Sequence, residues 1–182
     1  MKKTQPKKKK TLKEEVWEWI KSLAIAFVLA MFIRTFFFQA FKIPSSSMYP
    51  TLQIRDHLIA NKLIYRFREP KRGDVIIFRF PDRTRRDFVK RLVGLPGEKV
   101  AISGGKVYIN GEEAIESRVN GRYYFNDEGM PEEEVPPQSY FVLGDNSANS
   151  YDSRYWGFVR RQEVLGEALF IYWPPGRWGL IK

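Results

Sequence analysis

The sequence predicts a mainly β protein: a single N-terminal transmembrane helix followed by one β-rich domain built of antiparallel sheets. Three observations carry that expectation. One apolar stretch near the N-terminus is long enough to cross a bilayer. Beyond it, short β-branched and aromatic runs (HLIA, DVIIFRF, FVKRLVG, KVAIS, KVYI, SYFVLG and EALFIYW) alternate with turn residues. The 182 residues, less an anchor, are enough chain for one core and too few for two.

In chain order, the first ten residues hold six lysines (Lys2, Lys3, Lys7, Lys8, Lys9 and Lys10) and no acid, so of a formal charge of +10 only +4 belongs to the remainder. The basic excess is a tail, placed at 1–16, rather than a nucleic-acid-binding face, and no nucleic-acid partner is expected. From Trp17 to Phe38 the chain reads WEWIKSLAIAFVLAMFIRTFFF. Its uncharged centre, Ser22 to Ile33, spans only about 18 Å as helix. The whole segment reaches roughly 33 Å, the thickness of the hydrocarbon layer, once Lys21 and Arg34 snorkel to opposite surfaces. Trp17, Trp19, Phe36, Phe37, Phe38 and Phe41 suit the two interfaces, giving an anchor and interfacial segment at 17–41. A cleaved secretory signal shows the same basic-then-apolar order, but no small-x-small triplet closely follows Ile33. The positive-inside rule keeps the tail cytoplasmic and the domain at 42–182 extracytoplasmic, as in a single-pass protein of the cell (inner) membrane.

Within the domain, Gly104-Gly105 between KVAIS and KVYI reads as a hairpin turn, and Asn110-Gly111 as a second turn after it. Arg118 to Gln138, which contains MPEEEVPPQ, reads as an exposed insertion rather than core.

Cysteine is absent and His57 is the lone histidine, which excludes disulfides, thiolate metal sites, a cysteine nucleophile and a multi-histidine relay. Reactive side chains gather in IPSSSMYPTL (43–52), DFVKRLVGLPGEKV (87–100) and LGDNSANSYDSRYWGF (143–158). A serine hydroxyl needs a partner that takes its proton, and a lysine amine can do so only if its pKa falls toward ambient pH. Burial in an apolar wall lowers a lysine pKa by up to about 3–5 units. Strand alternation puts Phe88, Lys90 and Leu92 on one face and turns Arg91 away, so Lys90 has apolar neighbours. Ser45, Ser46 and Ser47 are not distinguished by composition. His57, beside Asp56 at a strand start, reads as an ordinary exposed histidine and not as the base. Asp152 and Arg154, two apart in an extended run, share a side and can pair; Gly144-Asp145-Asn146 reads as a tight turn.

Four boxes in this order, P-S-x-S-M-x-P-T-L at 44–52, R-G-D-V-x-x-F at 72–78, V-K-R-x-x-G-x-P-G at 89–97 and G-D-N…N-S-x-D-S-R-x-W-G at 144–157, resemble those of the bacterial type I signal peptidases, the Ser/Lys leader peptidase family. The resemblance implies a signal-peptidase-type catalytic domain at 42–182 and a membrane-anchored serine endopeptidase that removes N-terminal signal peptides after small-x-small sequences. It implies Ser47, the serine before Met48, as nucleophile and Lys90 as general base. Ser45, with the backbone of Ser47, is implied as the oxyanion hole. Ser150 is implied to hold the lysine, with Asp152 and Arg154 in support. Serine, amine and oxyanion donors suffice, so neither cofactor nor metal is expected. The partners implied are preprotein signal peptides, the lipid bilayer and the export machinery that delivers preproteins. Two positions depart from the pattern: Ser147 stands where arginine is common, and Glu98 where P-G-D is usual. A substrate peptide would add as a strand beside 41–43 and 87–89, with small pockets reading alternate side chains.

Overall fold

The computed structural model describes residues 11–80, 86–114 and 129–181. Its first element, α1 (Leu12–Phe36), starts earlier than the expected Trp17 because the chain supplies a helix start there. The Thr11 N–H donates to Glu14 Oε2 at 2.8 Å, Glu14 and Glu15 occupy the first turn, and Arg34 occupies the last, each sign matching its end of the helix dipole. Within Leu12–Arg34 an 18-residue window averages a hydropathy of 1.8 and none of that window is buried, so the helix meets the length and composition required of a membrane anchor. The lysine-rich residues 1–10 and the side chain of Phe36 lie outside the described residues.

At its other end the helix stops short of Phe38. Phe38–Lys42, which overlaps the interfacial segment expected to end at Phe41, forms a strand, β1, and the chain divides into two units between Phe36 and Phe37. The strand-forming residues of β1 pair from Phe38↔Asn61 to Lys42↔His57, and those backbone bonds decide the assignment.

The second unit continues through β2 (His57–Asn61), α2 (Ile64–Phe67), β3 (Val75–Arg79), β4 (Asp87–Gly94), β5 (Lys99–Ser103), β6 (Lys106–Ile109), β7 (Glu112–Glu113), β8 (Met130–Glu134), β9 (Ser139–Leu143), α3 (Ser153–Trp156), β10 (Val159–Arg160), β11 (Val164–Trp173) and β12 (Gly179–Leu180). An eight-stranded sheet runs β1-β2-β11-β3-β4-β9-β10 with β12 beside β11, and a four-stranded sheet runs β7-β6-β5-β8. Every pairing is antiparallel. The runs read as strands from the sequence correspond to β2, β3, β4, β5, β6, β9 and β11, with DVIIFRF overrunning its strand by one residue at each end and SYFVLG by one at its C-terminal end. Gly104-Gly105 (φ +57° and +78°) and Asn110-Gly111 (φ +52° and +83°) close the β5–β6 and β6–β7 hairpins in the left-handed region that a two-residue turn requires.

Alternation gives the large sheet two apolar faces. On one, Leu58, Ala60, Ile77 and Ala168 pack with Ile43, Met48 and Leu52 from the loop after β1. On the other, Ile76, Phe78, Leu92 and Val142 pack with Tyr65 and Val159. The small sheet buries Val100, Ile102 and Val107 against Val93, Phe141 and Leu143.

The expected insertion needs correction. Residues 118–128 lie outside the described residues, but Met130–Glu134 is a strand that pairs with β5, and Met130 and Val135 enter the core of the small sheet. As the edge strand of that sheet it keeps Glu132, Glu133 and Glu134 in water, which is why its composition resembles a loop.

One irregularity positions the site. β9 pairs with β4 only at Arg91, Leu92 and Gly94. From Asp87 to Lys90 that side of β4 therefore has no strand partner among the described residues.

Candidate active site

Three segments meet at the open edge of β4. The first is the loop between β1 and β2, folded by Tyr49 N–H to the Ser46 carbonyl and Leu52 N–H to the Met48 carbonyl, with Met48 and Leu52 buried as anchors. This seats Ser47, 9% exposed, with its Oγ accepting from Lys90 Nζ at 2.7 Å. The Ser45 hydroxyl donates to the same oxygen at 3.3 Å. Ser46 faces elsewhere: its Oγ accepts from Asn149 Nδ2 at 2.6 Å.

The second segment is β4. Lys90 is 4% exposed and shares its face with Phe88, whose ring centre lies 5.7 Å from Nζ. Burial lowers its pKa to about 8; Asp152 and Asp145 oppose that shift and Arg154 adds to it. Arg91 does point away from Lys90, as alternation requires. It is fully buried, donating to Asp145 through Nε (2.8 Å) and Nη2 (2.6 Å) and to the Gly73 carbonyl at 2.8 Å.

The third segment runs from Gly144 to Arg154. Asp152 and Arg154 pair, with side chains wholly buried and Arg154 Nε at 2.7 Å and Nη2 at 2.8 Å from the carboxylate oxygens. They do so in a different geometry from the extended run expected: Asp152 caps α3, accepting from the Arg154 N–H, and Arg154 lies inside that short helix. Asp152 also accepts from the Gly144 N–H at 2.9 Å. Ser147, in place of the common arginine, accepts from Arg154 Nη1 at 2.6 Å, while Glu98 pairs with Arg72 at 2.6 Å. Ser150 lines the cleft, but its buried hydroxyl has no hydrogen-bond partner among the described residues, so the expected bond holding the lysine is not formed in this geometry. His57 packs edge-on to Tyr172 with ring centres 5.8 Å apart and does not line the cleft.

Residues that sequence reasoning passed over tie these segments together. The Asn146 N–H donates to the Ser47 carbonyl at 3.0 Å, and Asn146 Nδ2 to the Ser46 carbonyl at 3.1 Å. Thr51 Oγ1 donates to Asp145 at 2.5 Å, closing a Thr51–Asp145–Arg91 cluster behind the loop that carries Ser47. The turn read at Gly144-Asp145-Asn146 is thus also a clasp. Its signal was the buried side of β4: a fully buried Arg91 requires a carboxylate, and Asp145 follows the strand that pairs with it. Gly144 is needed for close approach rather than for backbone freedom. A Cβ there would fall on Ser150 Oγ and lie 2.5 Å from the Ser47 carbonyl oxygen. Gly144→Ala is therefore expected to cost about 1–3 kcal/mol by overpacking and to lower kcat by displacing Ser47, measured by thermal unfolding and steady-state kinetics.

The cleft along this edge encloses about 700 Å³ and is lined by residues 41–45, 86–90 and 148–151 together with Ser47, Met48 and Tyr155. Among the described residues no group of three or more His, Asp or Glu could hold a metal ion.

An antiparallel β domain with a buried serine–lysine pair in an open cleft, in a chain that also carries one apolar helix, has the make-up of a membrane-anchored serine peptidase. The family model described as "Signal peptidase, peptidase S26" matches residues 16–173, and the chain belongs to that family. A probable signal peptidase I-2 of a Synechocystis species is 44% identical over 181 residues, covering 96% of this chain and 82% of the relative. Signal peptidase I of Leptolyngbya laminosa is 43% identical over 169 residues (89% and 82%), and signal peptidase I S of Bacillus subtilis 34% over 172 (89% and 91%).

Proposed function

We propose that this chain cleaves N-terminal signal peptides from exported preproteins with Ser47 as nucleophile and Lys90 as general base. The observation that carries the reading is the 2.7 Å contact between Ser47 Oγ and a lysine amine that burial has brought to a pKa of about 8. Once neutral, Lys90 takes the Ser47 proton as Oγ attacks the scissile carbonyl carbon. The negative charge that develops on the carbonyl oxygen meets the Ser45 hydroxyl and the Ser47 backbone N–H, a pair of donors of the kind worth about 3–4 kcal/mol each. The lysine ammonium then returns the proton to the departing amine, which leaves as the N-terminus of the mature protein. The amine, neutral again, deprotonates a water that hydrolyses the acyl-enzyme. Asp152 and Arg154 fix the loop that carries Ser150 and set the charge around the amine. The peptide adds to the unpaired side of β4 at residues 87–89, with residues 41–43 on its far side.

The test is cleavage of a synthetic signal-peptide substrate by the purified full-length protein, which Ser47→Ala is expected to abolish; equal cleavage by the folded variant would refute the reading.

The same proposal extends to topology. The helix anchors the protein in the cell (inner) membrane, residues 1–10 stay in the cytoplasm, and the peptidase domain faces outward to meet preproteins leaving the export machinery. Protease added to intact spheroplasts is expected to degrade the domain and spare the lysine tail; a protected domain would reverse the orientation.

A further inference from the structure

An extended peptide on the open edge of β4 sends alternate side chains to opposite faces, and here the two faces differ. On one, Val89 packs with Phe41, Ile43 and Met48 in an apolar wall that lines the cleft. The other is the face of Phe88 and Lys90. There Phe88 stacks on Phe80 with centroids 4.7 Å apart, Phe80 meets Tyr151 at 6.2 Å, and Tyr151 stacks on Tyr155 at 5.6 Å and 30°. The core accounts for neither tyrosine: Tyr151 is 56% and Tyr155 54% exposed, and both line the cleft.

We propose that Tyr151 and Tyr155 form an aromatic shelf that reads the middle residue of the small-x-small sequence, and that it favours a large uncharged side chain there, aromatic or long aliphatic. This deepens the peptidase reading above and rests on it. The alternation makes the assignment: if the two small side chains enter the Val89 wall, the residue between them points to the Phe88 face and lies against the shelf. Aromatic contact rewards a flat or long apolar side chain and gives serine almost nothing. A cation is disfavoured, because the Arg154 guanidinium already lies 5.6 Å from the Tyr155 ring centre and Lys90 lies beside Phe88.

The experiment uses the full-length protein in detergent micelles and signal peptides that differ only at the middle position: Phe, Ser or Lys. For the wild type, kcat/KM is expected to be roughly threefold to tenfold higher for Phe than for Ser, with Lys no better than Ser. Tyr151→Ala should bring the Phe-to-Ser ratio close to one and Tyr151→Phe should keep it. The Ala-over-Val preference at the last small position should not move in either variant. A merely structural tyrosine would slow every peptide alike and leave the ratio intact. Should Tyr151→Ala fail to fold, the same ratio measured in Tyr155→Ala decides. A wild type indifferent to Phe and Ser, or a ratio unchanged in the folded alanine variants, overturns the shelf and leaves the peptidase reading standing. A wild type that cleaves none of the peptides overturns both.

Discussion

Lys90→Ala is expected to lower kcat by at least about 10²–10⁴-fold, the range that a positioned general base contributes, while His57→Ala stays within a few-fold of wild type. The contrast follows from position: Lys90 Nζ is 2.7 Å from Ser47 Oγ, whereas the His57 ring packs on Tyr172 away from the cleft. The pH dependence has a definite sign. Burial disfavours the ammonium and lowers the pKa from 10.5 to about 8, and only the neutral amine is a base, so activity should climb with pH and pass half its maximum near pH 8. A flat profile between pH 6 and 9, or a folded His57→Ala as inactive as Lys90→Ala, would refute the dyad. The same burial has a thermodynamic side. Between the folded value of about 8 and the ordinary 10.5, the unfolded chain holds a proton that the folded chain has released. Stability therefore rises with pH through that window, and below it the folded state carries the cost of a buried ammonium. Lys90→Met keeps the volume without the charge, so the inactive variant should be more stable than wild type at pH 7 by about 1–3 kcal/mol, read by thermal unfolding.

The second large effect is on Asp152. Its carboxylate and the Arg154 guanidinium are both fully buried, so Asp152→Ala leaves a positive charge without its partner and should destabilise the fold by about 3–5 kcal/mol. Asp152→Asn keeps the shape and the cap and should cost less. It also addresses the amine directly. Asp152 raises the Lys90 pKa and Arg154 lowers it, so deleting the negative charge and leaving the positive one should move the pH–activity profile of Asp152→Asn to lower pH. A folded Asp152→Asn whose profile stays in place, or moves upward, would show that the ion pair acts only on structure.

What could be read from the residues was what local chemistry determines. Period-2 alternation in FVKRLV was enough to bury Lys90 on the Phe88 face and turn Arg91 the other way, and two Gly-containing turns announced their hairpins. β8 escaped because consecutive glutamates on an exposed edge mask a strand whose one buried residue is Met130, with Val135 entering the core just after it. The clasp escaped for another reason: Asn146 and Asn149 bind Ser46 across 100 and 103 residues, and no local pattern encodes a contact of that span. Asp152 and Arg154 were legible as a pair, but the helix that brings them together was hidden, since the Asp152 cap forms with the helix itself.

The position of β11 has a consequence for timing. Ser47 belongs to the loop of the β1–β2 hairpin and Lys90 to the β3–β4 hairpin, and in the sheet those two hairpins touch only through β11, which pairs Ala168 with Ala60 on one side and Glu167 with Ile76 on the other. A nascent chain can form both hairpins early, from contacts close in sequence. It cannot bring them into one sheet until the segment from Val164 to Trp173 has been synthesised and inserted between them, a long-range closure of the slow kind. Until that closure the sheet gives Ser47 and Lys90 no common frame. A chain truncated before Val164 is expected to keep both Ser47 and Lys90 and yet to cleave no signal peptide.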